Sequence, residues 1–236
     1  MDTAAGRFTP SDRRRAHMST WIDEGFVAFD TETTGVNTAE DRIVTAAAVV
    51  FRNGEPQETR AWLIKVDVEI PERASEVHGI TNEISQGQGQ DQAEALAEIG
   101  DYLDSSGLPI VCFNSGFDIP ILNSNLQRHG LGELKTSVII CPYVIDRQLD
   151  KYVKGKNQRR LKPTAERYGL ELSEDDWHGA EADSLVTGRI LVAQGKKFPA
   201  ITEVTPRELA DKVVEWRDQQ DAEFKEWLAR QPPRER

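Results

Sequence analysis

Phe29-Asp30-Thr31-Glu32-Thr33-Thr34-Gly35 follows directly on Gly25-Phe26-Val27-Ala28, and the reading of this stretch decides the fold. The apolar run reads as a buried strand. Side chains on a strand alternate between faces, so Asp30 and Glu32 point the same way. Two carboxylates side by side at the end of a buried strand repel each other and resist desolvation. Positive charge between them removes both costs, and a divalent cation with oxygen ligands is the economical source. A second reading stays open at this point: a strand whose last turn carries solvated acids before a glycine stop, because Asp, Thr and Gly are ordinary turn residues.

Outward from this stretch, Thr33-Thr34-Gly35 reads as a turn. Residues 42–51 form a long second strand ended by Asn53-Gly54, a strong hairpin signal. A third strand near 59–66 closes an antiparallel meander. Residues 71–85 read as short helical turns around His78-Gly79-Ile80-Thr81. Ala95, Leu96, Ile99 and Leu103 recur at helical spacing and predict an amphipathic helix over 91–103. Gly107-Leu108-Pro109 breaks it. Ile110-Val111-Cys112-Phe113 is a short buried strand, Asn114-Ser115-Gly116 turns into a helix carrying Phe117, Asp118, Ile121 and Leu122, and Val138-Ile139-Ile140-Cys141 is the fifth strand. A meander followed by alternating helices and strands predicts an α/β fold: a mixed five-stranded sheet, three strands antiparallel and the others parallel, with helices on both faces.

Further helices are expected near 159–168 and 180–194, ended by Gly169 and Gly195. Thr205-Pro206-Arg207-Glu208 opens a last helix over 205–229 with a cap residue, a proline at the first position and an early acid. Leu209, Val213, Trp216, Phe224, Trp227 and Leu228 recur along one side of it and need a partner surface: the parent domain, a second copy, or a partner protein such as a polymerase. The expected organisation is a flexible basic leader over 1–20 with Arg13-Arg14-Arg15, a main domain over 21–200, and a C-terminal amphipathic helix and tail over 201–236.

Composition bounds the function. The 236 residues are 38% hydrophobic and 29% charged, which is globular rather than disordered. No apolar run approaches the roughly 20 residues that cross a bilayer, and the polar N-terminus is no secretory signal, so a cytoplasmic protein without a membrane partner is expected. Cys112 and Cys141 lie singly inside apolar runs and read as buried thiols, not disulfides or zinc ligands. The net charge of −11 argues against wholesale coating of a polyanion. Against that background, Arg147, Lys151, Lys154, Lys156, Arg159, Arg160 and Lys162 form an anomalous basic run. It is either a solvated loop or a strip that grips a phosphate backbone, with Tyr143 and Tyr152 nearby for stacking. Asp146 and Asp150 inside it read as local ion-pair partners, and Glu174, Asp175 and Asp176 as a solvated acidic loop.

Three pieces join Asp30 and Glu32. Asp118 begins a helix just beyond the fourth strand, and His178 and Asp183 flank the start of the helix over 180–194. Four carboxylates and an imidazole at the ends of strands suit a two-cation site that clamps a phosphodiester, with the imidazole as base for the attacking water. In order along the chain, Phe29-Asp30-Thr31-Glu32-Thr33-Thr34-Gly35, Asn114-Ser115-Gly116-Phe117-Asp118 and His178-Gly179-Ala180-Glu181-Ala182-Asp183 resemble the three motifs of the DEDDh exonucleases. This is the DnaQ-like group that includes the proofreading ε subunit of bacterial DNA polymerase III, on a ribonuclease-H-like fold. The resemblance spans about 25–195. It implies that Asp30, Glu32, Asp118 and Asp183 hold two magnesium or manganese ions and that His178 is the general base. It also implies that Thr33 and the Thr34 backbone meet the terminal nucleotide, with His78 beside them. Phe113 stands where many relatives have histidine, and Gly179 where a sister subgroup has tyrosine, which puts the chain in the histidine subgroup.

The leading expectation is a metal-dependent 3′-to-5′ exonuclease acting on single-stranded or frayed DNA ends and releasing nucleoside monophosphates. Nothing in the 236 residues reads as a polymerase domain, so any proofreading is expected in trans. The alternatives are a 3′-to-5′ exoribonuclease and a non-catalytic module that binds nucleic acid or a polymerase.

Overall fold

The computed structural model describes residues 19–171 and 179–231. The leader with its arginine triplet, the acidic loop and His178 therefore lie outside the described residues.

The polypeptide builds one six-stranded sheet in the order β4-β3-β2-β1-β5-β6. Strands β1 (Phe26–Thr33), β2 (Ile43–Arg52) and β3 (Glu55–Lys65) form the antiparallel meander. Asn53 and Gly54 both take positive φ, 53° and 75°, as a tight hairpin turn demands. Strands β5 (Ile110–Val111) and β6 (Ile139–Ile140) continue the sheet in parallel beyond β1. The sequence reading gave five strands. The sixth, β4 (Gln90–Asp91), pairs in parallel with Ile64 and Lys65 at the far edge of β3. Two polar residues carry no apolar alternation, so only the pairing reveals it.

β2 is almost wholly buried because helices cover both faces of the sheet. On one face, Val27 and Phe29 of β1 pack with α4 (Gln92–Ser105) and α5 (Ser115–Arg128) through Leu96, Ile99, Ile121 and Leu122. On the other, Phe26 and Ala28 join Phe51, Ile140, Ile145 and Leu191 beneath α6 (Pro142–Leu149) and α8 (Ala180–Lys197). The short helices α2 (Glu72–His78) and α3 (Asn82–Gln88) follow the meander, and α7 (Leu161–Arg167) precedes the third motif. Both cysteines are free and buried.

Helix α8 does not stop at Gly195 but runs to Lys197. Gly195 serves a close approach instead: a β-carbon there would come within 2.7 Å of Ile22 in α1 (Trp21–Glu24). That short helix and α6 were not anticipated. Trp21 Nε1 donates to the Ile201 carbonyl at 2.9 Å, tying the start of the described chain to the approach to the last helix. Helix α9 (Pro206–Ala229) opens with the expected capping box between Thr205 and Glu208. Its apolar stripe divides in two. Leu209, Ala210, Val213 and Gln220 are buried against the body, whereas Phe224, Trp227 and Leu228 beyond them are about half exposed, at 52%, 49% and 47%. Among the described residues, no helix is long and apolar enough to cross a membrane.

Candidate active site

Alternation along β1 sends its odd-numbered residues to the α4–α5 face and its even-numbered residues to the α8 face. Asp30 and Glu32 therefore face α8, while Thr31 faces α5. Three observations fix α8 against them. Ser184 Oγ donates to the Ala47 carbonyl at 3.0 Å, and Ala47 is the cross-strand partner of Asp30. One turn on, a β-carbon at Gly188 would lie 2.1 Å from the Phe51 ring, so only glycine lets the helix lie so close to the sheet. Phe51 in turn stacks on Phe26 at 4.9 Å. Asp183, beside Ser184, is thereby carried to the end of β1, and one carboxylate oxygen each from Asp30, Glu32 and Asp183 lies within 4.8 Å of the others.

Asp118 comes from the opposite face. It is buried in the first turns of α5, and Thr31 Oγ1 donates to its Oδ1 at 2.9 Å. The bond links the second motif to the middle residue of the first. The N-terminal turn of α5 is also held from outside the motifs: Arg217 of α9 donates to Ser115 Oγ at 2.5 Å. Sequence reasoning missed Thr31, Ser184, Gly188 and Arg217. The first three sat inside or beside recognised motifs, but nothing local marked their contacts; Arg217 lies far along the chain and carried no signal.

Packing four acids together has an electrostatic cost. Burial, then the charges of Asp118, Asp183 and Glu32, hold the Asp30 carboxyl well above the usual range. Burial and the neighbouring Asp183 and Asp118 push Glu32 up to about 7. Burial also raises Asp118 to about 7, against the opposing pull of the Thr31 hydrogen bond. Near neutral pH the cluster therefore holds protons or a cation. The donors are hard carboxylate oxygens, which fits a hard divalent cation rather than a soft metal.

Beside the acids, a cleft of about 520 Å³ is lined by Glu32, Thr33, Thr34, Val77, His78 and Phe117 among others. Thr33 Oγ1 donates to the Gly35 carbonyl at 2.6 Å. The Thr34 N–H donates to Arg42 O and its hydroxyl to Asp41, so neither is free to donate to a ligand. His78 Nδ1 accepts from the Ile80 N–H at 3.2 Å, while its buried Nε2 has no hydrogen-bond partner. Burial lowers the His78 pKa, with the Thr33 backbone acting in the other direction.

The basic run divides into two classes. Asp146 is fully buried and binds Arg159 Nη1 at 2.5 Å, Arg167 Nη2 at 2.9 Å and Tyr168 Oη at 3.0 Å. Asp150 binds Lys197 at 2.8 Å and Arg167 at 3.3 Å. Arg159 also donates to the Asp150 carbonyl at 2.7 Å. Its guanidinium is thus committed inside the protein, which corrects its place in the phosphate-gripping strip: the nearest acid is buried and needs a cation. Lys151, Lys154, Lys156 and Arg160 remain exposed. Tyr143 is half-buried and packs edge-on to Phe113 at 5.9 Å, whereas Tyr152 is 91% exposed.

Comparison with known proteins agrees with this geometry. The family model described as "Exonuclease" matches residues 27–191, more than half of the chain. The DNA polymerase III PolC-type protein of Halalkalibacterium halodurans is 31% identical over 170 residues, which is 72% of this chain and 11% of that protein. The corresponding protein of Mycoplasma genitalium is 28% identical over 163 residues, 69% of this chain and 11% of that protein. The chain thus spans about a tenth of the length of these curated relatives. Among solved structures, E. coli exonuclease I in complex with a dT13 oligonucleotide superposes with a TM-score of 0.63 at 19% identity, over 76% of this chain and 42% of that one. Exonuclease X in complex with 5′ overhanging duplex DNA superposes with a TM-score of 0.60 at 20% identity, over 80% of this chain and 99% of that one. Sheet order, family match and sequence relatives agree: the chain belongs to the exonuclease family, in its DnaQ-like group with the ribonuclease-H-like fold.

Proposed function

We propose that the protein removes nucleotides from the 3′ end of single-stranded or frayed DNA, releasing nucleoside monophosphates. One observation carries the reading: Asp30, Glu32 and Asp183 bring ligand oxygens within 4.8 Å of one another, with Asp118 close by, beside a cleft of about 520 Å³ that Glu32 also lines. Two magnesium or manganese ions, when bound, supply the positive charge that stabilises the attacking and leaving oxygens of phosphodiester hydrolysis. Asp30, Glu32, Asp118 and Asp183 are the residues to hold them. His178, outside the described residues, is the base that takes the proton of the attacking water, as an imidazole does well near neutral pH. Thr33 and His78 orient the terminal nucleotide, with the buried His78 Nε2 supporting a polar contact there; the Thr34 N–H, held by the Arg42 carbonyl, takes no part. DNA is favoured over RNA because the relatives are named as DNA polymerases and the structural neighbours as complexes with DNA. The PolC-type relatives also support proofreading beside a DNA polymerase in the cytoplasm.

The test is purified protein with a 5′-labelled single-stranded oligonucleotide, with magnesium or with EDTA, alongside a matched RNA. Stepwise shortening from the 3′ end that needs the metal and disappears in Asp30→Ala is expected. No degradation, or equal degradation by the variant, overturns the reading, and faster loss of the RNA moves the substrate to RNA.

A further inference from the structure

Residues 151–160 link α6 to α7, and their conformation is set by internal anchors. Arg159 reaches back to the Asp146 carboxylate and to the Asp146 and Asp150 carbonyls, and Gly155 and Asn157 take positive φ of 110° and 65°. These anchors consume the acids of the neighbourhood. Asp146 serves Arg159 and Arg167, and Asp150 serves Arg167 and Lys197. Among the described residues, no ion pair engages Lys151, Lys154, Lys156 or Arg160. Four cations on ten residues, none in an ion pair among the described residues, flank a tyrosine that is 91% exposed, in a chain of net charge −11. A merely solvated loop gains nothing from an exposed aromatic ring.

The segment also has a direction. At its start, Asp150 is bound to Lys197, 14 residues along α8 from Asp183, which is about 21 Å at 1.5 Å per residue. At its end, Leu161 joins the small cluster of Phe113, Ala165, Val186 and Ile190. Phe113 adjoins the cap residue of α5, and Val186 lies one turn beyond Asp183. Arg159 ties the end of the strap back to the Asp150 carbonyl at its start, and Leu161 beyond it packs toward the half of α8 that carries Asp183.

We infer that residues 151–160 form a track for single-stranded DNA upstream of the reacting 3′ end. Lys151, Lys154, Lys156 and Arg160 meet successive phosphates, and Tyr152 stacks on an unpaired base. Cations along a backbone path combined with an exposed aromatic platform are what sequence-tolerant binding of single strands requires, and the stacked ring selects an unpaired strand over a duplex. The inference rests on the nuclease reading for its polarity, but the binding surface is testable without turnover.

Anisotropy of a labelled twelve-residue oligothymidylate, titrated in EDTA over a range of salt, measures it. The combined variant Lys151→Gln, Lys154→Gln, Lys156→Gln, Arg160→Gln should weaken binding at least tenfold and flatten the dependence of log Kd on log salt by about 3, from about 0.7 per phosphate contact on a single strand. Tyr152→Ala should weaken it at least fivefold with little change in that slope. In the magnesium-dependent assay, the ratio of KM for the twelve-mer to KM for a trinucleotide should rise in both variants, because only the longer strand reaches the track. Binding and slope unchanged in the fourfold variant would overturn the inference while leaving the nuclease reading intact. A wild-type protein that binds through the strap but never degrades DNA would sink the nuclease reading and leave the track standing. Loss in the fourfold variant with none in Tyr152→Ala would reduce the strap to a general polyanion contact and overturn its single-strand selectivity.

Discussion

Replacing Asp118 by Asn should make the metal-free protein more stable above neutral pH, although it removes an acid assigned to the active site. Asn keeps the shape and an oxygen that can accept from Thr31 Oγ1, so the 2.9 Å bond to the strand need not be lost. What disappears is a negative charge that burial and the neighbouring acids oppose. Asp118 is displaced from 3.8 to about 7. At about 1.4 kcal/mol per pH unit, the ionised form carries a penalty on the order of 4 kcal/mol once the pH exceeds 8. The acids share their repulsion, so the gain on removing one charge is about 2–4 kcal/mol, or a rise in Tm of roughly 5–10 °C for a domain of this size. A carboxyl with a raised folded-state pKa favours the folded state fully below its unfolded value near 4, and this contribution is lost as the pH climbs through 7. The gap between variant and wild type should therefore be near zero at about pH 3, open between about pH 4 and 7, and level off by about pH 8. Thermal melts in EDTA across that range measure it. Magnesium should then raise the wild-type Tm more than that of the variant, because binding to the folded state adds stability by mass action. A variant no more stable than wild type at pH 8 in EDTA, with a gap that ignores pH, would refute the idea that these acids are packed without compensation.

Three further outcomes follow from other contacts. Thr31→Val removes the donor to Asp118 while preserving shape; it should weaken magnesium or manganese binding by about 10–100-fold, the usual cost of losing a partner that orients a ligand, and Thr31→Ser should restore it, as read by calorimetry. Asp146→Ala should act in the opposite sense to Asp118→Asn, destabilising by about 3–5 kcal/mol at neutral pH in urea melts, because Arg159, Arg167 and Tyr168 lose a shared buried partner. Gly188→Ala drives a methyl into the Phe51 ring from 2.1 Å and should cost about 1–3 kcal/mol; because α8 must lift from the sheet, nuclease activity should fall further than in a surface alanine variant of equal Tm.

The sequence by itself determined the meander, the buried strands and the order of the three acidic motifs. Each is written in local pattern: alternation along β1, the Asn-Gly hairpin, and short apolar runs bounded by turn residues. It also anticipated that Asp146 pairs with a cation of the same run, which is Arg159, whereas Asp150 pairs with Arg167 and with Lys197, 47 positions away on α8. Tertiary structure decided what depends on contacts between distant segments. β4 exists only because β3 offers Gln90 and Asp91 an open edge. Gly195 looked like a helix stop and proved to be a clearance for Ile22, a residue 173 positions earlier. The stripe on α9 reads as continuous in sequence, yet only its first half finds a surface, because the body ends near Gln220. The basic run reads as uniform, and packing around one buried carboxylate separates the arginine that holds the loop from the cations left facing outward. The convergence of the acids has the same origin. Side chains from two faces of a sheet meet only where the strand ends, and that meeting is set by how closely α8 and α5 lie against it.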